Sequence, residues 1–211
     1  MLYYDTRMNQ KSLIKDTELH QRLGRLDEEK PLKLAFSGRL IKMKGADHLI
    51  QLASILKERK TAFHMTIYGA GDLENWMSQE IEKQSLSDSV YMTGALDFND
   101  ELIPDIKENV DVYVILHRQS DPSCTYLETL SCGIPIVGYG NKAFTGLLDQ
   151  ADVGWLANMD DVTGVADIVE RLSQNRAEIK EKSVNGIEFA RQHDFETTFK
   201  NRINHLVDLT E

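Results

Sequence analysis

PLKLAFSGRLIKMKGADHLIQLASILKERKTAFHMTIYGAGD, residues 31–72, holds the plan of the fold. Leu32–Phe36 is a short, largely apolar run that ends in Ser37-Gly38. Ala46–Glu58 then shows helical spacing through Leu49, Ile50, Leu52, Ala53 and Leu56, and Phe63–Tyr68 is a second apolar run closed by Gly69-Ala70-Gly71. A strand that is apolar on both faces, a crossover helix and a second such strand make a parallel unit, because parallel strands are covered on both sides. The same alternation continues outward. Val90–Thr93, Val112–Leu116, Ile134–Tyr139 and the short Val153–Ala157 read as strands, and Leu73–Gln84, Asp100–Asn109, Ser123–Cys132 and 142–150 read as helices. This pattern predicts an α/β fold, a Rossmann-like open parallel sheet with helices on both faces. The C-terminal third is helical over Val162–Ser173, Ala177–Arg191 and Glu196–Leu209, with Asp194 placed to cap the last helix. Residues 1–30 show a strand-like Leu2–Tyr4 and then mixed charges without a sustained period, so they read as a linker or arm, leaving residues 31–211 as one domain.

Composition narrows the function. Lys and Arg number 24 against 34 Asp and Glu in 211 residues, a formal charge of −10. An acidic chain of this kind is not expected to coat nucleic acid, so any anion site must be local. No window approaches the 18 or so apolar residues of a membrane span, and the N-terminus lacks a leader pattern. The expectation is a soluble cytoplasmic chain. Cys124 and Cys132 lie eight positions apart in one helix, roughly 12 Å at about 1.5 Å per residue, too far to bridge. Both read as small core residues in a reducing compartment. The six histidines show no metal-ligand spacing and no Asp-x-Asp pair occurs, so no metal or other cofactor is expected. There is also no G-x-S-x-G elbow and no Walker A sequence.

Ligands of such sheets sit beyond the carboxyl ends of the strands, which directs attention to the residues that follow each one. After the first comes Gly38-Arg39-Leu40-Ile41-Lys42-Met43-Lys44-Gly45, three cations between two glycines, placed to hold a diphosphate. Arg39 and Lys44 are the candidates; Lys42 reads as a solvated residue. The second strand runs into Gly69-x-Gly71, an incomplete fingerprint whose simplest reading is a structural turn. The third ends in Thr93-Gly94-Ala95-Leu96, where a glycine either admits a flat base or ends the strand. The fourth delivers His117, Ser120 and Asp121, then a helix with Ser123 or Asp121 as cap, Pro122 in its first turn and Gly133 at its end. The first-turn N–H groups of that helix, near Ser123, Cys124 and Thr125, form a second anion-binding element. Glu128 stands in otherwise uncharged sequence, so its carboxylate needs partners, either ribose hydroxyls or a structural Arg or Lys.

In this order, Gly38-Arg39-Leu40 with Lys44-Gly45, Gly69-x-Gly71, Thr93-Gly94, Asp111-Val112-Tyr113-Val114 and Leu127-Glu128-Thr129-Leu130-Ser131-Cys132-Gly133-Ile134-Pro135-Ile136-Val137 resemble the C-terminal half of a GT-B fold retaining glycosyltransferase of family four, the glycosyl transferases group one. The resemblance runs from about residue 32 to the end. It implies a nucleotide-diphosphate sugar as donor, a hexosyl transfer in polysaccharide or glycolipid assembly, and no metal. Arg39 and Lys44 would contact the donor diphosphate and serve catalysis. Glu128 would hold the ribose, backbone at Gly94, Ala95 and Leu96 the base, and Gly38, Gly69, His117, Ser120, Asp121, Ser123, Cys124 and Thr125 would line the donor site. The family motif has two glutamates with seven residues between them; the second is Glu128, and the first position is Ser120, with Asp121 beside it as the only nearby carboxylate. A turn glycine of the family is replaced by Ser123. Family members carry the acceptor site on an N-terminal Rossmann-like domain, so this chain resembles an excised donor domain. Alone it is expected to bind nucleotide weakly and to transfer no sugar, and any membrane contact is expected only through the other domain.

Two further functions compete. A non-catalytic Rossmann-like binding or scaffolding module is favoured by Ser120. A phosphoacceptor switch wants carboxylates at the first and third strand ends, where Arg39 and Gly94 stand.

Overall fold

The computed structural model describes residues 4–26, 30–120 and 123–208. Among them run α1 (Asp16–Arg25), β1 (Leu32–Ser37), α2 (Ala46–Glu58), β2 (Phe63–Tyr68), α3 (Glu74–Lys83), β3 (Val90–Gly94), α4 (Ile103–Asn109), β4 (Val112–Ile115), α5 (Cys124–Ser131), β5 (Ile136–Tyr139), α6 (Lys142–Leu148), β6 (Gly154–Ala157), α7 (Val162–Gln174), α8 (Arg176–Gln192) and α9 (Phe195–Asp208). The six strands form one parallel sheet in the order β3-β2-β1-β4-β5-β6. The chain therefore starts in the middle of the sheet, winds outward to β3, and crosses back beside β1 to continue through β4. At that reversal the loops that follow β1 and β4 lie side by side, the place where ligands of such sheets bind.

Alternation along the strands feeds two cores. Leu34, Phe36, Val112 and Val114 point to a layer made with Leu49, Leu52, Leu56, Val165 and Val169 of α2 and α7. Ala35, Tyr113 and Ile115 point to the opposite layer, made with Ile103, Ile106, Leu127 and Leu130 of α4 and α5. Successive side chains face opposite sides of a strand, so a run apolar at every position is covered twice, as the sequence indicates. The strand and helix bounds agree with the sequence reading to within one or two residues, except that the helix expected from Asp100 begins earlier. Its first turn is a π turn over Phe98–Leu102, started by Asp97, whose carboxylate accepts from the N–H groups of Asn99 and Asp100. Asp194 caps α9 as expected, accepting from Thr197 N at 2.8 Å.

The stretch before residue 31, expected to be a linker or arm, is helical in part. The strand-like Leu2–Tyr4 lies outside the described residues except for Tyr4, which is in no strand. Residues 16–25 are helical, and Met8, Ile14, Leu19 and Leu26 are buried in the body of the fold. Arg22 is buried as well, donating to Val110 O and Asp111 O at 2.9 Å and to Ser183 Oγ at 3.2 Å. Burial draws its guanidinium down to about 10. The helix was hidden in the sequence because one of the residues on its inner face is an arginine rather than a hydrophobe. No helix among the described residues is long and apolar enough to cross a membrane.

Candidate functional site

The carboxyl edge of the sheet is assembled by backbone contacts between loops. Gly38 N donates to Tyr68 O at 3.0 Å, and Gly69 N to Gly94 O at 2.7 Å, which ties the ends of β1, β2 and β3 together. A Cβ on Gly69 would stand 2.0 Å from Gly38 O, and one on Gly71 would stand 2.7 Å from Leu40 N. The Gly69-x-Gly71 pair is thus consumed by backbone packing, the structural turn that an incomplete fingerprint suggests. Gly94, at φ 77°, has open space where its side chain would be, and Ala95 and Leu96 follow it as irregular backbone.

The cationic loop lies against the end of β4. Lys42–Lys44 form a single 3-10 turn that closes on Gly45 at φ 75°. A Cβ there would stand 2.2 Å from Leu116 O, so the loop touches the segment that carries His117 and Ser120. Arg118 N donates to Met43 O at 3.0 Å across the same seam. Lys44 is half-buried and Arg39 is exposed. These contacts set the loop of residues 42–45 against residues 116–118, which follow β4.

His117 is buried, and its carbonyl accepts from Asn141 Nδ2 at 3.1 Å; Asn141 in turn caps α6. The Ser120 hydroxyl accepts from Lys142 N at 3.3 Å, so it serves the start of α6. Asp121 lies outside the described residues. Ser123 is the cap of α5 and accepts from Thr125 N at 3.4 Å. The Cys124 thiol donates to Asp5 Oδ2 at 3.2 Å; burial first, and Asp5 second, push it up to about 11. Cys132 is buried and pushed up to about 12, chiefly by burial, so neither thiol is an activated nucleophile.

Glu128 is 5% exposed on the inner side of α5. Its partner is Arg7, whose Nε donates to Oε1 at 2.5 Å. Burial raises the carboxyl above its ordinary range, and Arg7 pulls it back. Of the two kinds of partner that its sequence context demands, the structure supplies the structural arginine. Arg7 escaped sequence reasoning because it sits in a stretch without period, and only the need of Glu128 for a partner pointed to such a residue.

A second network braces the same edge. Arg118 donates to both carboxylate oxygens of Asp47 at 2.9 and 3.1 Å, to Asp160 at 2.7 Å and to His48 Nε2 at 2.5 Å, while His48 Nδ1 meets Tyr139 Oη at 2.7 Å. It links the start of α2 to the last residue of β5 and to the loops after β4 and β6. Burial depresses His48, with Arg118 adding to the effect. Asp47-His48 in the first turn after Gly45 was the available sequence signal. Among the described residues no three His, Cys, Asp or Glu side chains gather to hold a metal. An open groove of about 490 Å³ between α1 and α4, lined by Lys11, Glu18, Arg25 and Lys107 among others, includes none of the candidate residues.

A family profile described as glycosyl transferases group 1 matches residues 16–193. The amylovoran biosynthesis glycosyltransferase AmsK of Erwinia amylovora is 29% identical over 161 residues, covering 71% of this chain and 38% of that protein. The lipopolysaccharide core biosynthesis mannosyltransferase LpsB of Rhizobium meliloti is 25% identical over 184 residues, covering 81% of this chain and 49% of its own length. Among solved structures, Anabaena HepE in complex with UDP superposes with a TM-score of 0.80 at 15% identity, over 99% of this chain and 57% of that one. WaaG, a glycosyltransferase involved in lipopolysaccharide biosynthesis, gives 0.72 at 14% identity over 94% and 54%. The chain thus spans half or less of the curated relatives it matches.

Proposed function

The chain belongs to the glycosyl transferases group 1 family and carries the C-terminal half of the GT-B fold, and from that premise we propose that it is the donor-binding half of a glycosyltransferase. The donor is a nucleotide-diphosphate sugar and the acceptor a saccharide or glycolipid, in line with the amylovoran and lipopolysaccharide core biosynthesis named for two relatives. The observation that carries this reading is the juxtaposition of the Arg39–Lys44 loop with the end of β4 at the reversal point of the sheet. Arg39, Lys44 and the first-turn N–H groups of α5 take the diphosphate and stabilise the charge that grows on it as the sugar leaves. Glu128 accepts from the ribose hydroxyls, and backbone at Gly94, Ala95 and Leu96 meets the base. Gly38 and Gly69 shape the turn beside the phosphates, and His117, Ser120, Asp121, Ser123, Cys124 and Thr125 form the wall toward the sugar. Retention of configuration and a hexosyl donor follow from the family resemblance. The reaction on this reading uses no metal. The acceptor is held by a second domain, and the chain by itself transfers no sugar.

A thermal-shift titration with uridine, guanosine and adenosine diphosphates on the wild type and on Lys44→Ala tests the site. One diphosphate at a hundred times its dissociation constant stabilises the wild type by about 2.7 kcal/mol, and Lys44→Ala loses most of that rise. No shift at millimolar nucleotide overturns the proposal. It would favour a second reading, a binding or scaffolding module of the same fold, which is supported by Ser120 standing in place of a carboxylate and serving the start of α6.

A further inference from the structure

Resting on the reading of Glu128 as the group that faces the nucleoside, the contacts of the N-terminal segment acquire a role of their own. Arg7 covers two groups at once. Its Nε donates to Glu128 Oε1 at 2.5 Å, and its guanidinium carbon stands 3.8 Å from the centroid of the Phe98 ring. Phe98 opens the turn that begins one residue after Gly94–Leu96, the backbone assigned to the base. Two residues earlier, Asp5 accepts from the Cys124 thiol, so residues 5–7 lie along the N-terminal half of α5. A flat cation held on a ring and on a carboxylate occupies the kind of position that a nucleoside would take.

We propose that Arg7 is an internal occupant of the nucleoside subsite, and that donor nucleotide binds by exchanging it. A carboxylate that is 5% exposed is costly to keep ionised without a partner. Arg7 is that partner when the site is empty, and the two ribose hydroxyls replace it when the site is filled. The exchange is easy in one direction because the Arg7 side chain is 59% exposed and returns to water on leaving. It does not require unfolding either, since the neighbouring Met8 remains anchored by its own burial and by the bond from Phe195 N to Met8 O at 2.9 Å. The segment before α1 therefore sets donor affinity by competition, and it does so only for ligands that reach Glu128. A bare diphosphate binds without displacing anything.

Isothermal titration of uridine diphosphate and of inorganic pyrophosphate into the wild type, Arg7→Ala and Arg7→Lys tests the exchange. Arg7→Ala binds uridine diphosphate roughly two- to tenfold more tightly than the wild type, Arg7→Lys falls between them, and pyrophosphate affinity is the same in all three. Weaker nucleotide binding by Arg7→Ala shows that the arginine stays and assists, which overturns the proposal. An unchanged affinity, or an equal change for both ligands, overturns it too. In each of those cases a wild type that binds uridine diphosphate leaves the donor-site reading intact. If no variant binds either ligand, both fall together.

Discussion

Glu128 shows at the scale of one residue how burial and an ion pair act on the same group. Its carboxyl is raised from an ordinary value of 4.5, first by burial, with Arg7 offsetting part of the effect. A folded state that holds a proton more tightly than the unfolded chain is favoured below the ordinary value and loses that advantage as pH rises through the raised one. Glu128→Gln removes this titration. The melting temperature of the variant relative to wild type is therefore expected to climb as pH rises from the ordinary carboxyl value through the raised one; a difference that stays flat or falls would show that Arg7 fully compensates the burial. The same variant binds uridine diphosphate roughly five- to tenfold more weakly, because a neutral amide accepts hydrogen bonds less strongly than a carboxylate. Sequence reading identified Glu128 as a carboxylate in need of partners, since it stands alone among uncharged neighbours. It did not identify Arg7, because 121 residues separate the two and only packing brings them together.

Elements here are placed by glycines as much as by hydrophobes. Gly45 and Gly94 both have positive φ, 75° and 77°, and differ only in their surroundings. A Cβ on Gly45 would press on Leu116 O at 2.2 Å, whereas one on Gly94 would meet nothing within 4 Å. Gly94→Ala is expected to cost about 1 kcal/mol, the left-handed penalty alone, and Gly45→Ala about 3 kcal/mol or more, since backbone must also move. Urea unfolding of the pair measures the difference, and equal costs would mean that the contact between the 3-10 turn and β4 is not tight. The strands, most helix starts and the cap by Asp194 were legible because period and capping chemistry are local. The π turn at Phe98 was not, since it extends α4 backwards through a side-chain cap rather than through a hydrophobic repeat.

Over the whole molecule, the N-terminal segment packs on the strands and helices that follow it. Arg22 reaches from α1 to the carbonyls that lead into β4 and to Ser183 on α8, and it replaces a hydrophobic contact with three hydrogen bonds. Arg22→Met leaves those acceptors without the donor and is expected to cost about 3 kcal/mol. Arg7→Ala, which removes an exposed side chain, is expected to cost less than about 1 kcal/mol. Chemical denaturation of both variants checks the order, and a neutral Arg22→Met would return the segment to the status of an arm. By itself the sequence determined the parallel sheet and its doubly covered strands, because strand and helix periods are written in neighbouring residues. Which cation meets Glu128, which hydroxyl serves a helix start and whether the first helix belongs to the body were decided only in the folded chain. Such pairings depend on burial and on contacts between distant segments, and a linear pattern does not record them.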